Sequence, residues 1–176
     1  MTEAAGSTEA AGSTEAAGST EAAEPTEAAG TTDVPEQRYD ISSDPARLDR
    51  ARIHAWLGQD TYWARGRTRR HHDLAIAGSL NFGAYDTRSG EQVGYARVVT
   101  DHATFAWLCD VYVDRAARGH GLGTRLVTAA RDHLARTGVR ALYLATDDAH
   151  GVYAKVGFEP LDAPEKWMVN RLAPPR

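Results

Sequence analysis

Large apolar side chains are distributed unevenly along this chain. Residues 2–31 contain none; they are five imperfect copies of the hexapeptide Thr-Glu-Ala-Ala-Gly-Ser. A six-residue period matches neither helix nor strand, and glycine interrupts it. The segment cannot bury enough surface to offset chain entropy, which predicts a disordered acidic tail over residues 1–37. From Arg38 the pattern becomes that of a folded domain, expected to span 38–176. Tyr39-Asp40-Ile41 reads as a short strand. Ser43 or Asp44 is placed to cap a helix from Pro45, with Leu48, Ala51, Ile53, Ala55, Trp56 and Leu57 as its apolar side and Gly58 as its end. Thr61–Ala64 predicts a second short helix.

Alternation then takes over. Ser79–Tyr85 and Gln92–Thr100 read as paired strands, and the turn formers of Asp86–Gly90 make them a hairpin. Asp101-His102 predicts another tight turn, and Thr104–Val113 a long returning strand. Leu122, Leu126, Ala130 and Leu134 recur at spacing four with Val127 beside them, one apolar face of an amphipathic helix. Gly138 stands where a helix C-terminal glycine would. Val139–Ala145 is apolar on both faces, which predicts a central, parallel strand. Asp147–Val156 predicts a short helix capped by an aspartate. Phe158-Glu159-Pro160 and Trp167-Met168-Val169 read as two last strands. The order is β-α-α-β-β-β-α-β-α-β-β, an α/β domain.

The junction between the long strand and the amphipathic helix carries the chemistry. Gly119, Gly121 and Gly123 alternate there, and no Ser, Thr, Asp or Asn stands at the obvious cap position. The unpaired N–H groups of that helix start need another acceptor. With the positive end of the helix dipole and Arg115 and Arg118 nearby, a phosphate suits it. A Walker loop is excluded, because no lysine follows the glycines. A dinucleotide fingerprint also fails, because its last glycine falls on Thr124 or Leu126.

What is present is Arg118-Gly119-His120-Gly121-Leu122-Gly123, or R-x-x-G-x-G after the strand Val111-Tyr112-Val113. It resembles the pyrophosphate-binding motif of the GNAT superfamily, the acetyl-coenzyme A-dependent N-acetyltransferases. Ala149–Phe158 resembles a second pattern of that family, A-x-x-x-Y-x-K-x-G-F, about thirty residues on. The resemblance covers residues 38–170. It implies a mixed, mostly antiparallel twisted sheet with splayed central strands and flanking helices. It implies acetyl-coenzyme A as acyl donor, without a metal. Val111 and Val113 would pair their backbone N–H groups with the pantetheine. The N–H groups of Gly119, His120, Gly121, Leu122, Gly123 and Thr124, with Arg118, would hold the pyrophosphate; no role falls to the His120 side chain. Tyr153 would donate a proton or hydrogen bond to the sulfur. One departure is Thr146-Asp147, where the family usually carries an asparagine.

The base is less determined. Asp110, Asp101, His102 and Tyr112 are all candidates for relaying a proton from the acceptor amine, and Asp110, on the central strand, is favoured. Tyr62, Trp63, Phe82, Tyr85 and Trp107 are candidates for an aromatic acceptor pocket, with half of them expected in the core.

Charge narrows the partners. The chain carries 24 acids and 20 Lys or Arg. Eight of the acids and none of the basic residues fall in 1–37, so the folded part is mildly basic, which fits a polyanionic cofactor as well as it fits anything else. The run Arg65–His72 is the most basic stretch. Lacking interleaved aromatics or a following recognition helix, it reads as a solvated loop, or as a rim that attracts an anionic acceptor or the cofactor phosphates, rather than a nucleic-acid module. Cys109 is the only cysteine, so a reducing, cytoplasmic compartment is expected. No run has membrane-spanning length, and no secretory signal is expected. His71-His72 lack metal-ligand spacing. The leading expectation is acetyl transfer to a primary amine of a small molecule, by direct attack in a ternary complex of a monomer or homodimer. The alternatives are transfer to a peptide or protein amine, and a non-catalytic coenzyme A sensor.

Overall fold

A computed structural model describes residues 38–172. The expected disordered tail over 1–37 lies outside the described residues. Five strands form one open sheet in the order β1-β2-β3-β4-β5. They are β1 (Tyr39–Ser42), β2 (Leu80–Asp86), β3 (Gln92–Thr100), β4 (Ala106–Val113) and β5 (Leu142–Tyr143). The first four pair antiparallel in sequence order, and β5 runs parallel to β4. The β2–β3 hairpin closes as expected: Gly90, at φ +73°, donates to the carbonyl of Asp86 at 2.8 Å.

Four helices flank the sheet: α1 (Arg50–Asp60), α2 (Arg69–Ala77), α3 (Leu122–Ala135) and α4 (His150–Ala154). Leu122, Leu126, Val127, Ala130 and Leu134 are the buried face of α3. All but Leu122 pack on Phe82, Ala84, Ala96, Val98, Ala106 and Leu108. A second cluster joins Ile53, Trp56 and Leu57 of α1 and Ile76 of α2 to Tyr95 and Tyr112. The sheet therefore separates an aliphatic core from an aromatic one.

Several expectations are corrected. The helix from Pro45 divides in two. Asp44 caps only a 3₁₀ turn, Pro45–Arg47, and Asp49 caps α1 by accepting from Arg52 N; α1 then runs through Gly58 to Asp60. Thr61–Ala64 is not helical. The second helix begins later, because Thr68 accepts from His71 N and the last half of the basic run becomes the first turn of α2. The strand Val139–Ala145 shrinks to Leu142–Tyr143, and it is an edge strand, not a central one, among the described residues. Phe158–Pro160 and Trp167–Val169 form no strand. The last short helix starts at His150 without a side-chain cap; Thr146 Oγ1 accepts from Ala149 N just before it.

α2 also buries a polar group. His72 is 1% exposed, its Nε2 has no hydrogen-bond partner, and its ring lies 5.3 Å from that of His54. Burial, then the charges of His54 and Arg67, push its imidazole down from 6.5 to about 4. Between those values the unfolded chain binds a proton that the folded one refuses. Stability therefore falls as pH drops through that window. Denaturant midpoints measured from pH 7 to 4 should decline, and His72→Leu should flatten the slope; an unchanged slope would place the acid sensitivity elsewhere.

Candidate active site

The site is built on an interruption in β4. Leu108 and Val113 pack toward the same cluster although five residues separate them, which unbroken period-2 alternation forbids. The register explains it: Tyr112 lies opposite Tyr95 and Cys109 opposite Arg97, so Asp110 and Val111 share a place opposite Ala96 alone. This is a β-bulge, and Asp110 takes φ +53° within it. The bulge turns Asp110 away from the α3 core and into the arginines on the other face.

Asp110 is 4% exposed. Its Oδ2 accepts from Arg67 Nη1 at 2.7 Å and Arg97 Nε at 2.8 Å, and its Oδ1 from Arg67 Nη2 at 3.2 Å. Burial raises the carboxyl pKa, but the hydrogen bonds and charges of the two guanidiniums outweigh it and hold the group below the usual carboxylate range. Arg67, read from sequence as part of a solvated loop, is thus folded inward.

The bulge also orients backbone. Asp114 N donates to Val93 O at 2.9 Å, toward β3. Alternation puts the Tyr112 amide on the same side and turns those of Val113 and Val111 to the opposite edge. That edge is open, because β5 pairs with β4 only at Ala106 and Trp107. The splay expected between the central strands is the gap from Leu108 to Val113.

At its end lies the glycine loop. Gly119 and Gly121 have φ of +83° and +70°, which explains glycine at both. Gly121 occupies the cap position of α3 without any side-chain cap, and the first helical bond is Arg125 N to Gly121 O at 3.0 Å. The six N–H groups from Gly119 to Thr124 therefore have no acceptor among the described residues. A Cβ on Gly119 or Gly121 would meet nothing within 4 Å, so the loop fronts open space. Arg118 donates through Nε to Val113 O at 3.1 Å and sits 5.6 Å from the centre of the Tyr112 ring. The His120 ring turns back instead, against Tyr39 at 5.4 Å, leaving only its backbone at the loop. This donor set fits a phosphate anion.

Tyr153, on α4, lines two cavities. The larger, about 580 Å³, lies between β5, α4 and the segment after Phe158. The smaller, about 280 Å³, opens between β4 and the chain following β5. The Tyr153 hydroxyl forms no hydrogen bond with a described residue, and its ring packs edge-on against Phe158 at 5.7 Å. Burial, then the charges of Asp148 and Tyr62, raise its pKa further, so the phenol stays protonated near neutrality.

Of the remaining base candidates, Asp101 and Tyr112 are hydrogen-bonded and His102 is exposed away from both cavities. Asp101 accepts from the backbone N–H groups of Ala103, Thr104 and Phe105 and from the Thr104 hydroxyl, and these bonds hold its pKa far below the usual range. His102 is exposed in that turn at φ +60°. Tyr112 donates to Asp60 Oδ2 at 2.5 Å; burial and that carboxylate push its phenol up to about 12. Cys109 borders the smaller cavity, but burial drives its thiol up to about 11, so it is no ready nucleophile. Among the aromatics, Phe82 and Tyr85 are core at 3% and 2% exposure, while Tyr62, Trp63 and Trp107 line the smaller cavity. Sequence reasoning passed over Asp148, which lines it too. An available signal was two acids directly after an apolar parallel strand, the end at which open sheets bind ligands.

The comparisons agree with this geometry. A family model, that of the Acetyltransferase (GNAT) family, matches residues 50–158. A Gibberella zeae protein named as a candidate acetyltransferase is 31% identical over 141 residues, 64% of this chain and 74% of that one. The crystal structure of a GNAT-family acetyltransferase candidate from Xanthomonas campestris pv. campestris aligns with a TM-score of 0.71 and 41% identity, over 76% of this chain and 93% of that one. The Escherichia coli GNAT-family N-acetyltransferase YhbS, in complex with CoA, aligns with a TM-score of 0.54 and 25% identity, over 69% of each chain. The bulged strand, the glycine loop and Tyr153 all fall inside the matched span, and the chain belongs to the Acetyltransferase (GNAT) family as an acyltransferase.

Proposed function

We propose that this acyltransferase moves an acetyl group from acetyl-coenzyme A to a primary amine of a small molecule, by direct attack while both substrates are bound. The observation that carries the reading is the row of six acceptorless N–H groups, Gly119–Thr124, continuing the open edge of β4. The row supplies donors for a pyrophosphate, and the outward amides of Val111 and Val113 supply donors for an extended chain of amides. Acetyl-coenzyme A contributes an activated thioester. Arg118 adds positive charge at the loop, and its Nη groups form no bond with the described residues.

In the transfer, the neutral acceptor nitrogen forms a C–N bond to the acetyl carbon while the C–S bond breaks. Tyr153 gives its hydroxyl proton to the departing sulfur, the proton lost from nitrogen passes to solvent, and the phenolate takes a proton back from solvent before the next turnover. Asp110 serves as a positioning residue: its two arginines hold the bulge that directs the Val111 amide. The cavity of about 280 Å³ beside Tyr153 takes the reacting end of the donor along Val111, and the space left before Tyr62, Trp63 and Asp148 favours a small acceptor over a folded protein.

Calorimetric titration with acetyl-coenzyme A, coenzyme A and NAD tests the donor assignment. Binding of the first two without the third is expected; no heat with acetyl-coenzyme A would remove the acetyltransfer reading. Gly121→Asp should weaken coenzyme A binding about 100-fold or more, since a like charge placed against a phosphate costs several kcal/mol. Gly121→Asn controls for backbone strain, because both residues tolerate the left-handed conformation. Equal affinity of the Asp and Asn variants would remove the loop from phosphate binding.

A further inference from the structure

The smaller cavity carries information about the acceptor. Its wall is made by Tyr62 and Trp63 from the turn after α1, Trp107 and Asp110 from β4, and Asp148 and Tyr153. Tyr62 and Trp63 form an edge-to-face pair with centroids 5.0 Å apart, yet remain 55% and 46% exposed. Rings left this open are not serving the core, which the neighbouring Trp56–Tyr112 stack already fills.

The charged side chains that line the cavity, Asp110 and Asp148, are both acids. Asp110 is paired with two guanidiniums, Arg67 and Arg97, so that cluster holds a net positive charge behind the wall, while neither arginine lines the cavity. Asp148 is exposed and forms no ion pair among the described residues. Burial and the neighbouring Asp147 carboxylate, with a smaller contribution from Asp148, raise the pKa of the Tyr62 phenol, and burial and then Asp148 raise that of Tyr153. Two exposed carboxylates, Asp148 in the wall and Asp147 beside Tyr62, next to open aromatic faces are complementary to a cation. An anionic acceptor would meet repulsion from both.

The reacting amine cannot be that cation, because an ammonium nitrogen has no lone pair with which to attack. The recognised charge must be on a second nitrogen of the same molecule. Resting on the acyl-transfer reading above, we propose that the acceptor is an aliphatic diamine or polyamine, with its second, protonated nitrogen held among Tyr62, Trp63, Trp107 and Asp148 while its neutral primary amine faces Tyr153. The product is the mono-N-acetyl amine, with coenzyme A released as the thiol.

Thiol release by the full chain with acetyl-coenzyme A tests this on three probes of equal length: 1,4-diaminobutane, 1-aminobutane and 4-aminobutanoate. The second charge should raise kcat/KM about tenfold over 1-aminobutane, the scale of a partly desolvated cation–π and carboxylate contact. 4-Aminobutanoate should be the poorest acceptor. In Asp148→Asn the ratio of diamine to monoamine kcat/KM should collapse toward unity. A ratio that survives in Asp148→Asn, equal rates for diamine and monoamine in the parent, or a preference for 4-aminobutanoate would each overturn the proposal. Tryptophan fluorescence, titrated with 1,4-diaminobutane with and without saturating coenzyme A, separates this idea from the one beneath it. Saturable quenching lost in Asp148→Asn supports the cation site even where no acetylation occurs. Calorimetric binding of coenzyme A without any diamine response sinks the cation site and leaves the donor assignment standing.

Discussion

Tyr153→Phe should lower kcat for acetyl transfer by about 100-fold or more while the affinity for coenzyme A stays within about twofold, the span expected when a positioned proton donor is removed. The reasoning begins with what the hydroxyl does in the fold. It forms no hydrogen bond with a described residue, so no folded-state interaction disappears with it. Phenylalanine keeps the ring that packs against Phe158. Burial and the Asp148 charge raise its pKa, so the phenol keeps its proton near neutrality and can donate it as a hydrogen bond to the sulfur while negative charge develops there. The loss should thus appear in the chemical step and not in binding. Single-turnover thiol release, with calorimetry alongside, separates the two. Unchanged turnover would take Tyr153 out of the mechanism, and parallel losses in turnover and affinity would make it a packing residue.

Asp110→Ala should cost about 3 kcal/mol of stability, because it leaves two half-buried guanidiniums without their common partner. The side-chain exposures are 2% for Asp110, 22% for Arg67 and 12% for Arg97, so solvent screens this cluster little. In a domain of this size the melting temperature should fall on the order of 10 °C. The pH dependence has a definite sign. The carboxyl of Asp110 is depressed in the folded protein despite burial, so its contribution is present above the ordinary carboxylate range and disappears as pH falls through the depressed value. Asp110→Asn, which keeps the shape but not the charge, distinguishes a positioning residue from a base. A base would lose kcat and its acidic pH limb with little change in melting temperature. A positioning residue loses stability, and turnover falls with no new limb in the pH profile. A stable, inactive Asp110→Asn would restore Asp110 as the base.

The features legible in the sequence were those that depend on near neighbours. The apolar face of α3 shows at spacing four, and the absence of a cap before it shows in the glycines themselves. The structure has Gly121 at that cap with no side-chain bond. The β2–β3 hairpin was legible for the same reason: its turn formers and alternation lie within twenty residues. The two motifs that mark the family are also local strings. Where local signals competed, the reading erred. Thr68 is as good a cap as the acids upstream, and it draws α2 out of a run that charge alone describes as a solvated loop. Trp167-Met168-Val169 has strand composition, but composition does not supply a strand to pair with.

Tertiary structure decided what distant residues do to one another. Alternation along β4 gives no sign that Asp110 occupies a bulge; that follows from the register with β3 and from two guanidiniums, one of them forty-three residues upstream. The same partners hold a candidate base within an ion cluster. Tyr62, Trp63, Trp107 and Asp148 span almost ninety positions and become one wall only when β4 and β5 part. The sequence by itself determined the family and the uncapped glycine loop before α3, because each is written in contiguous residues whose backbone needs are local. The charge and shape of the cavity beside Tyr153, and which side chains are left unpaired in it, were decided by contacts across the fold, since burial and pairing are properties of the assembled surface and not of any stretch of chain.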